Sequence, residues 1–126
     1  EAHEAGAIGV ASFHDFEATP SDERLAEVLA AMNVAGADVL KFACMAHSAT
    51  DAARVLAAQA WAREAYDRPI IGISMGQHGA PTRLVGSALG SAATFATLPG
   101  SEGSAPGQFT VEQVRAVLDI VEGAGV

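Results

Sequence analysis

Along this chain four short apolar runs alternate with stretches in which apolar residues recur at helical spacing. The first run, residues 7–12 (AIGVAS), is rich in strand formers. Thr19, Pro20 and Asp22 then offer an N-cap, a first-turn proline and an acidic first turn, which predicts a helix. Within it Leu25, Val28, Leu29 and Met32 fall at i, i+3, i+4 and i+7 as one apolar stripe, and Gly36 is placed to end the last turn. The second run, residues 39–45 (VLKFACM), precedes a polar start at 48–51 and an alanine-rich helix reaching about Tyr66. The third, residues 70–74 (IIGIS), follows Pro69 and leads into the glycine-bearing loop MGQHGAPTR, with a short helix expected near 84–89. The fourth, residues 92–97, is weaker, and a loop of Gly, Ser and Pro over 99–107 separates it from a last helix. That helix opens on T-V-E-Q at 110–113 with capping-box spacing, and Val111, Val114, Leu118 and Val121 form its apolar face.

Strand then helix, four times over, predicts an α/β fold of parallel strands joined by right-handed crossovers. Two architectures satisfy the pattern: a self-contained doubly wound sheet of four strands, or half of a (β/α)₈ barrel, which needs eight such units. Both place ligands beyond the carboxyl ends of the strands. Those positions hold His14, residues 41–47, residues 75–83 and the loop around Ser104.

Composition narrows the function classes. The chain's 126 residues, half of them apolar, make one domain. No apolar run approaches the ~20 residues of a membrane helix, and no basic segment precedes an apolar one as in a signal peptide. Fifteen acidic against seven basic residues give a net charge of -8, with the basic residues scattered, which argues against a nucleic-acid partner. Cys44 is the single cysteine, so no intrachain disulfide forms and a reducing, cytoplasmic setting is expected. The first residue is Glu1 rather than methionine, which fits a processed product or a piece of something longer.

Lys41 is the most informative position: the seven basic residues are six arginines and this one lysine, set inside V-L-K-F-A-C-M. Strand alternation puts Val39, Lys41 and Ala43 on one face and Leu40, Phe42 and Cys44 on the other, which predicts a buried amine. Burial favours the neutral form of an amine, the form that attacks a carbonyl to make a Schiff base. Snorkelling from an edge strand, or pairing with a carboxylate, explains the same lysine equally well. His14 shares a face with Ile8, Val10 and Ser12 and by itself reads as a structural imidazole at a strand end. Beside Lys41 it becomes a proton carrier over the same opening, whereas Asp15 reads as a loop or capping carboxylate. Arg83 follows the glycine loop, and its planar fork suits either a substrate carboxylate or a surface ion pair. Met75 and Phe16 line a pocket or simply pack. Cys44 reads as a small buried hydrophobe, and His3, His47 and His78 have no metal-ligand spacing.

Taken in series, S-F-H-D-F-E-A-T-P at 12–20, G-A-D-V-L-K-F-A-C-M at 36–45, R-P-I-I-G-I-S-M-G at 68–76, T-R-L-V-G-S-A-L-G-S-A-A-T-F at 82–95 and S-A-P-G-Q at 104–108 span nearly the whole chain. In them the sequence resembles the type I 3-dehydroquinate dehydratases. The resemblance implies a (β/α)₈ TIM barrel, of which residues 1–126 would be the C-terminal half, strands five to eight. It implies that Lys41 forms the imine with 3-dehydroquinate and that His14 moves the α-proton and helps the hydroxyl leave as water. Arg83 would bind the carboxylate, Ser104 and Gln108 would contact substrate, and Met75 and Phe16 would line the pocket. Thr82 stands where the family usually has serine, keeping the hydroxyl, and the loop before S-A-P-G-Q is longer than usual. The glutamate and arginines of the family's first half, and the acid that orients the histidine, have no counterpart here.

The expected reaction is dehydration to 3-dehydroshikimate in the shikimate pathway, with no cofactor or metal, because the protonated imine is itself the electron sink. The expected partner is the complementary half-barrel or another copy of the chain. Two other readings remain: a half-barrel that pairs without catalysing, its strand edges covered by another chain, and a class I aldolase-like enzyme acting on another keto acid.

Overall fold

Residues 1–101, 103 and 107–123 are described by a computed structural model. Three of the four apolar runs become neighbouring parallel strands in the order β1 (Val10–Asp15), β2 (Val39–Met45), β3 (Ile70–Met75). Between them run α1 (Asp22–Val34) and α2 (Ala49–Ala65). Beyond β3 come α3 (Thr82–Val85), a 3₁₀ turn (Gly86–Leu89), β4 (Ala96–Thr97), β5 (Phe109–Thr110) and α4 (Val111–Gly123).

Alternation along β2 divides the molecule into two layers. Leu40, Phe42 and Cys44 are fully buried and meet Leu25, Val28, Leu29 and Met32 of α1 and Val55 and Ala62 of α2. The apolar stripe of α1 is therefore the stripe expected. Helices α1 and α2 both pack on this one face of the sheet. A doubly wound fold would cover both faces, so that architecture is not formed among the described residues. On the opposite face Ala43, Ile73 and Met75 make a smaller apolar cluster. There Val10, Ser12 and His14 of β1 are exposed.

Local chemistry sets the boundaries. Strand β1 begins at Val10, three residues later than the apolar run, because Gly9 is held before it. Its N–H donates to Asp38 Oδ2 at 2.7 Å and its carbonyl accepts from Asp38 and Val39, so pairing starts at Val10 with Val39. His14 consequently lies within the strand rather than past its end. The cap of α1 is Ser21, whose hydroxyl accepts from Arg24 N–H, and not Thr19, whose hydroxyl is committed to the Met45 carbonyl at 2.8 Å. At the other end Ala37 N–H reaches Met32 O and Gly36 N–H reaches Asn33 O, a Schellman closure that Gly36 permits with φ of 80°. Ser48 caps α2 as its polar start suggested, and Thr110 and Gln113 exchange the reciprocal bonds of a capping box at α4.

The fourth run departs from expectation. Ser91 bridges to Ile70 beside β3, but the chain then leaves the sheet, and only Ala96–Thr97 is strand, paired in parallel with Phe109–Thr110. Thr94 explains the departure, since its hydroxyl donates to the Arg83 carbonyl at 2.9 Å and draws the run over α3. Gln59 holds the third unit together. Fully buried, it accepts from Gly72 N–H at 3.1 Å and donates to the carbonyls of Gly86 at 2.9 Å and Leu89 at 3.2 Å. No helix among the described residues is long and apolar enough to cross a membrane.

Candidate active site

At the carboxyl ends of the strands, on the face away from α1 and α2, lies a cavity of about 140 Å³. His14, Lys41, Arg83 and Gln108 contribute its polar wall, and Phe16, Ala43, Ile73, Met75 and Phe95 its apolar one. Six of the seven residues singled out from sequence thus meet in one place. Ser104 lies outside the described residues.

Register accounts for the meeting of His14 and Lys41. Ser12 is paired with Lys41 and His14 with Ala43, so the two side chains share a face. One strand spacing across and two residues along put their Cα atoms about 8 Å apart, within reach of a common ligand. The His14 ring stacks on Phe16, with centroids 5.7 Å apart and planes 4° from parallel. Asp15 points to the other face and accepts from Glu17 N–H and Ala18 N–H, both at 3.0 Å, which turns the chain after β1. It is the loop carboxylate expected.

The Lys41 amine is half-buried, not buried. Its own strand is central, but the β1 side of its face is open, so the amine reaches into a half-walled cavity. Its nitrogen stands 4.6 Å from the centroid of the Phe95 ring. Arg83 enters from α3 and is the more enclosed cation, with 5 % of its surface exposed. Burial lowers the pKa of its guanidinium, which nonetheless keeps its proton at any working pH. Thr82 beside it donates to the Gly79 carbonyl at 2.6 Å, so that hydroxyl serves the turn. Two cations and no carboxylate among the lining residues make this a positive spot in an acidic chain.

Gln108 is carried in by a close backbone approach. Gly107 has φ of 81°, and a Cβ there would stand 2.7 Å from the Gly76 carbonyl. Only glycine lets the two loops touch this way. Met75 is buried in the cavity floor. Cys44 lies on the opposite face, where burial, helped by the Asp15 charge, raises its thiol pKa to about 12. His3 bonds Asp38 at 2.6 Å, His47 bonds the Glu17 carbonyl, and His78 is exposed. No three metal-binding side chains converge among the described residues.

Phe95 and Gln59 escaped the sequence reading. Phe95 sits in the weak fourth run, whose expected strand does not form, so no alternation rule placed it over Lys41. Gln59 was hidden in an alanine-rich helix. Its signal was an uncharged polar residue at the i+4 position from Val55 on the buried stripe.

Comparison with known proteins supplies the relationship. A model of the type I 3-dehydroquinase family matches residues 1–124. The chain belongs to the type I 3-dehydroquinase family. It is 41% identical over 122 residues to the 3-dehydroquinate dehydratase of Klebsiella pneumoniae subsp. pneumoniae, covering 96% of this chain and 48% of that protein. With the Neisseria meningitidis serogroup C enzyme it is 43% identical over 109 residues, 86% of this chain and 42% of that one. Among solved structures, the 3-dehydroquinate dehydratase of Geobacillus kaustophilus HTA426 superposes with a TM-score of 0.92 at 39% identity, over 98% of this chain and 48% of that one. The type I enzyme of Clostridium difficile, described with covalent modified comenic acid, gives 0.87 at 35% identity over 97% and 48%. The chain spans about half the length of the curated relatives it matches.

Proposed function

We propose that residues 1–126 are the C-terminal half of a type I 3-dehydroquinate dehydratase barrel, strands five to eight, and that this half carries the imine chemistry of the reaction. Lys41 attacks the ketone of 3-dehydroquinate and, with loss of water, becomes a protonated imine. That cation acidifies the adjacent C–H. His14 removes the proton and returns one to the departing hydroxyl, which leaves as water. Hydrolysis of the imine then frees 3-dehydroshikimate and regenerates the amine. Arg83 holds the substrate carboxylate with a planar fork, Gln108 and Ser104 hydrogen-bond the ring substituents, and Met75 and Phe16 bound the apolar side.

The observation that carries this reading is the meeting of His14, Lys41, Arg83 and Gln108 at one cavity in a chain of this family. The size of that cavity favours a partner. At about 140 Å³ it is well below the ~300 Å³ at which ligand pockets ordinarily begin, and its β1 side is open. A complementary half-barrel pairing along β1 supplies the missing wall, and we place the assembled enzyme in the cytoplasm, where a free Cys44 stays reduced. The same open wall keeps a second reading alive, a half-barrel that pairs without turning over substrate.

Turnover decides between them. The chain is assayed with 3-dehydroquinate, alone and co-expressed with the preceding half of the Klebsiella pneumoniae relative, by the ultraviolet absorbance of the conjugated product. Product formation by the pair, abolished by Lys41→Ala and by His14→Ala, supports the enzyme. A folded pair without turnover overturns it in favour of the non-catalytic half.

A further inference from the structure

The amine of Lys41 makes no hydrogen bond or ion pair among the described residues, yet it is not left to wander: the Phe95 ring lies 4.6 Å away. The other polar groups at the cavity are Arg83 from α3, His14 from β1 and the Gln108 amide; the two basic side chains do not attract an ammonium, and no hydrogen bond joins Gln108 to Lys41. A lysine side chain holds about 2 kcal/mol of rotamer entropy, so an unpartnered amine spends much of its time pointing elsewhere. A ring face attracts an ammonium and a protonated imine alike, because both carry the positive charge that the ring quadrupole stabilises. Phe95 is itself well placed to serve. Thr94 before it is bonded to the Arg83 carbonyl, and Ala96–Thr97 after it pair with the strand that follows Gln108. The ring is thereby tied to the two segments that bring the carboxylate fork and the amide into the cavity.

We propose that Phe95 is the positioning residue for Lys41: its ring holds the nitrogen over the cavity before carbonyl attack and accompanies it as the imine forms. Its identity as a positioning residue does not depend on which carbonyl compound arrives; only the assignment of the substrate rests on the dehydratase reading.

The chain's single lysine makes the test clean. Protein labelled with [ε-¹³C]lysine gives one resonance, which the ring face shields. Phe95→Leu, at a position 39% exposed and so tolerant of substitution, is expected to move that resonance downfield, and Phe95→Tyr to restore it. Reductive alkylation with glyoxylate and cyanoborohydride then reads amine positioning without relying on dehydroquinate recognition. Lys41 labelling, mapped by peptide mass and normalised to the N-terminal amine, is expected to slow about 2- to 10-fold in Phe95→Leu, the cost of freeing one immobilised side chain, and to recover in Phe95→Tyr. An unmoved resonance, unslowed labelling in Phe95→Leu, or failure of Phe95→Tyr to restore both overturns the proposal. If the parent protein labels with glyoxylate but never with 3-dehydroquinate, the substrate assignment falls and the role of the ring stands.

Discussion

Replacing Gln59 with leucine should cost the third βα unit about 1 kcal/mol, although the two side chains are close in volume. The amide is fully buried and makes three bonds, to Gly72 N–H and to the carbonyls of Gly86 and Leu89. Leu89 is exposed, so water takes over its carbonyl. Gly72 is half-buried within β3, and its orphaned N–H loses about 1–3 kcal/mol. The buried Gly86 carbonyl keeps the Ser91 N–H at 3.1 Å and so forfeits only a second bond, about 0.5–1.5 kcal/mol. Burying leucine returns about 1.5–3 kcal/mol, which leaves a net loss near 1. With a urea m-value of about 2 kcal/mol/M, the unfolding midpoint falls by about 0.5 M. Trp61, the single tryptophan and a neighbour on α2, reports the transition by fluorescence. The damage should also reach the site, because the carbonyl released at Gly86 lies three residues beyond Arg83. A midpoint unchanged or raised in Gln59→Leu would mean that packing, and not the three bonds, secures this unit.

Cys44, with its thiol pKa raised to about 12, should resist iodoacetamide at pH 8 by about a thousandfold or more relative to a free thiol and react only through unfolding; fast alkylation of native protein contradicts its burial. Asp38 is held below its usual pKa of 3.8, first by Gly9 N–H and then by its bond to His3. A depressed carboxyl contributes stability above about pH 4 that is lost as the pH falls through its folded value, so Asp38→Asn should flatten the acid limb of the stability curve, and an unaltered limb would count against the link. Gly107→Ala forces a left-handed alanine and a Cβ 2.7 Å from the Gly76 carbonyl, so stability should fall by about 1–2 kcal/mol or more in urea titration, with Gln108 displaced from the cavity; an unshifted midpoint refutes the close approach.

What the sequence made legible follows from periodicity. The stripe of α1 and the two faces of β2 are patterns of period 3.6 and 2, and each side chain fell where its spacing put it. Lys41 and His14 were readable for the same reason, because a parallel register turns two strand positions into one shared face. The fourth run was not readable, since its alanines and threonines carry little strand preference and a single side-chain bond, Thr94 to the Arg83 carbonyl, redirected it. Thr19 looked like a cap by residue type, but a tertiary bond to Met45 claimed its hydroxyl and left the cap to Ser21. The expected burial of Lys41 failed in part, because alternation tells which way a side chain points and not what stands in front of it. Phe95 illustrates the remainder: its place over the amine depends on where an irregular loop returns.

The proposed chemistry stands on Lys41 as the nucleophile of this cavity toward 3-dehydroquinate. Its most direct test is to incubate the chain, paired with the preceding half of a relative, with 3-dehydroquinate and borohydride, then to map the product by peptide mass. One reduced adduct is expected on the peptide holding Lys41, absent from a Lys41→Ala variant whose circular dichroism is unchanged. No adduct in the paired protein, or an adduct elsewhere with Lys41 unmodified, would contradict it.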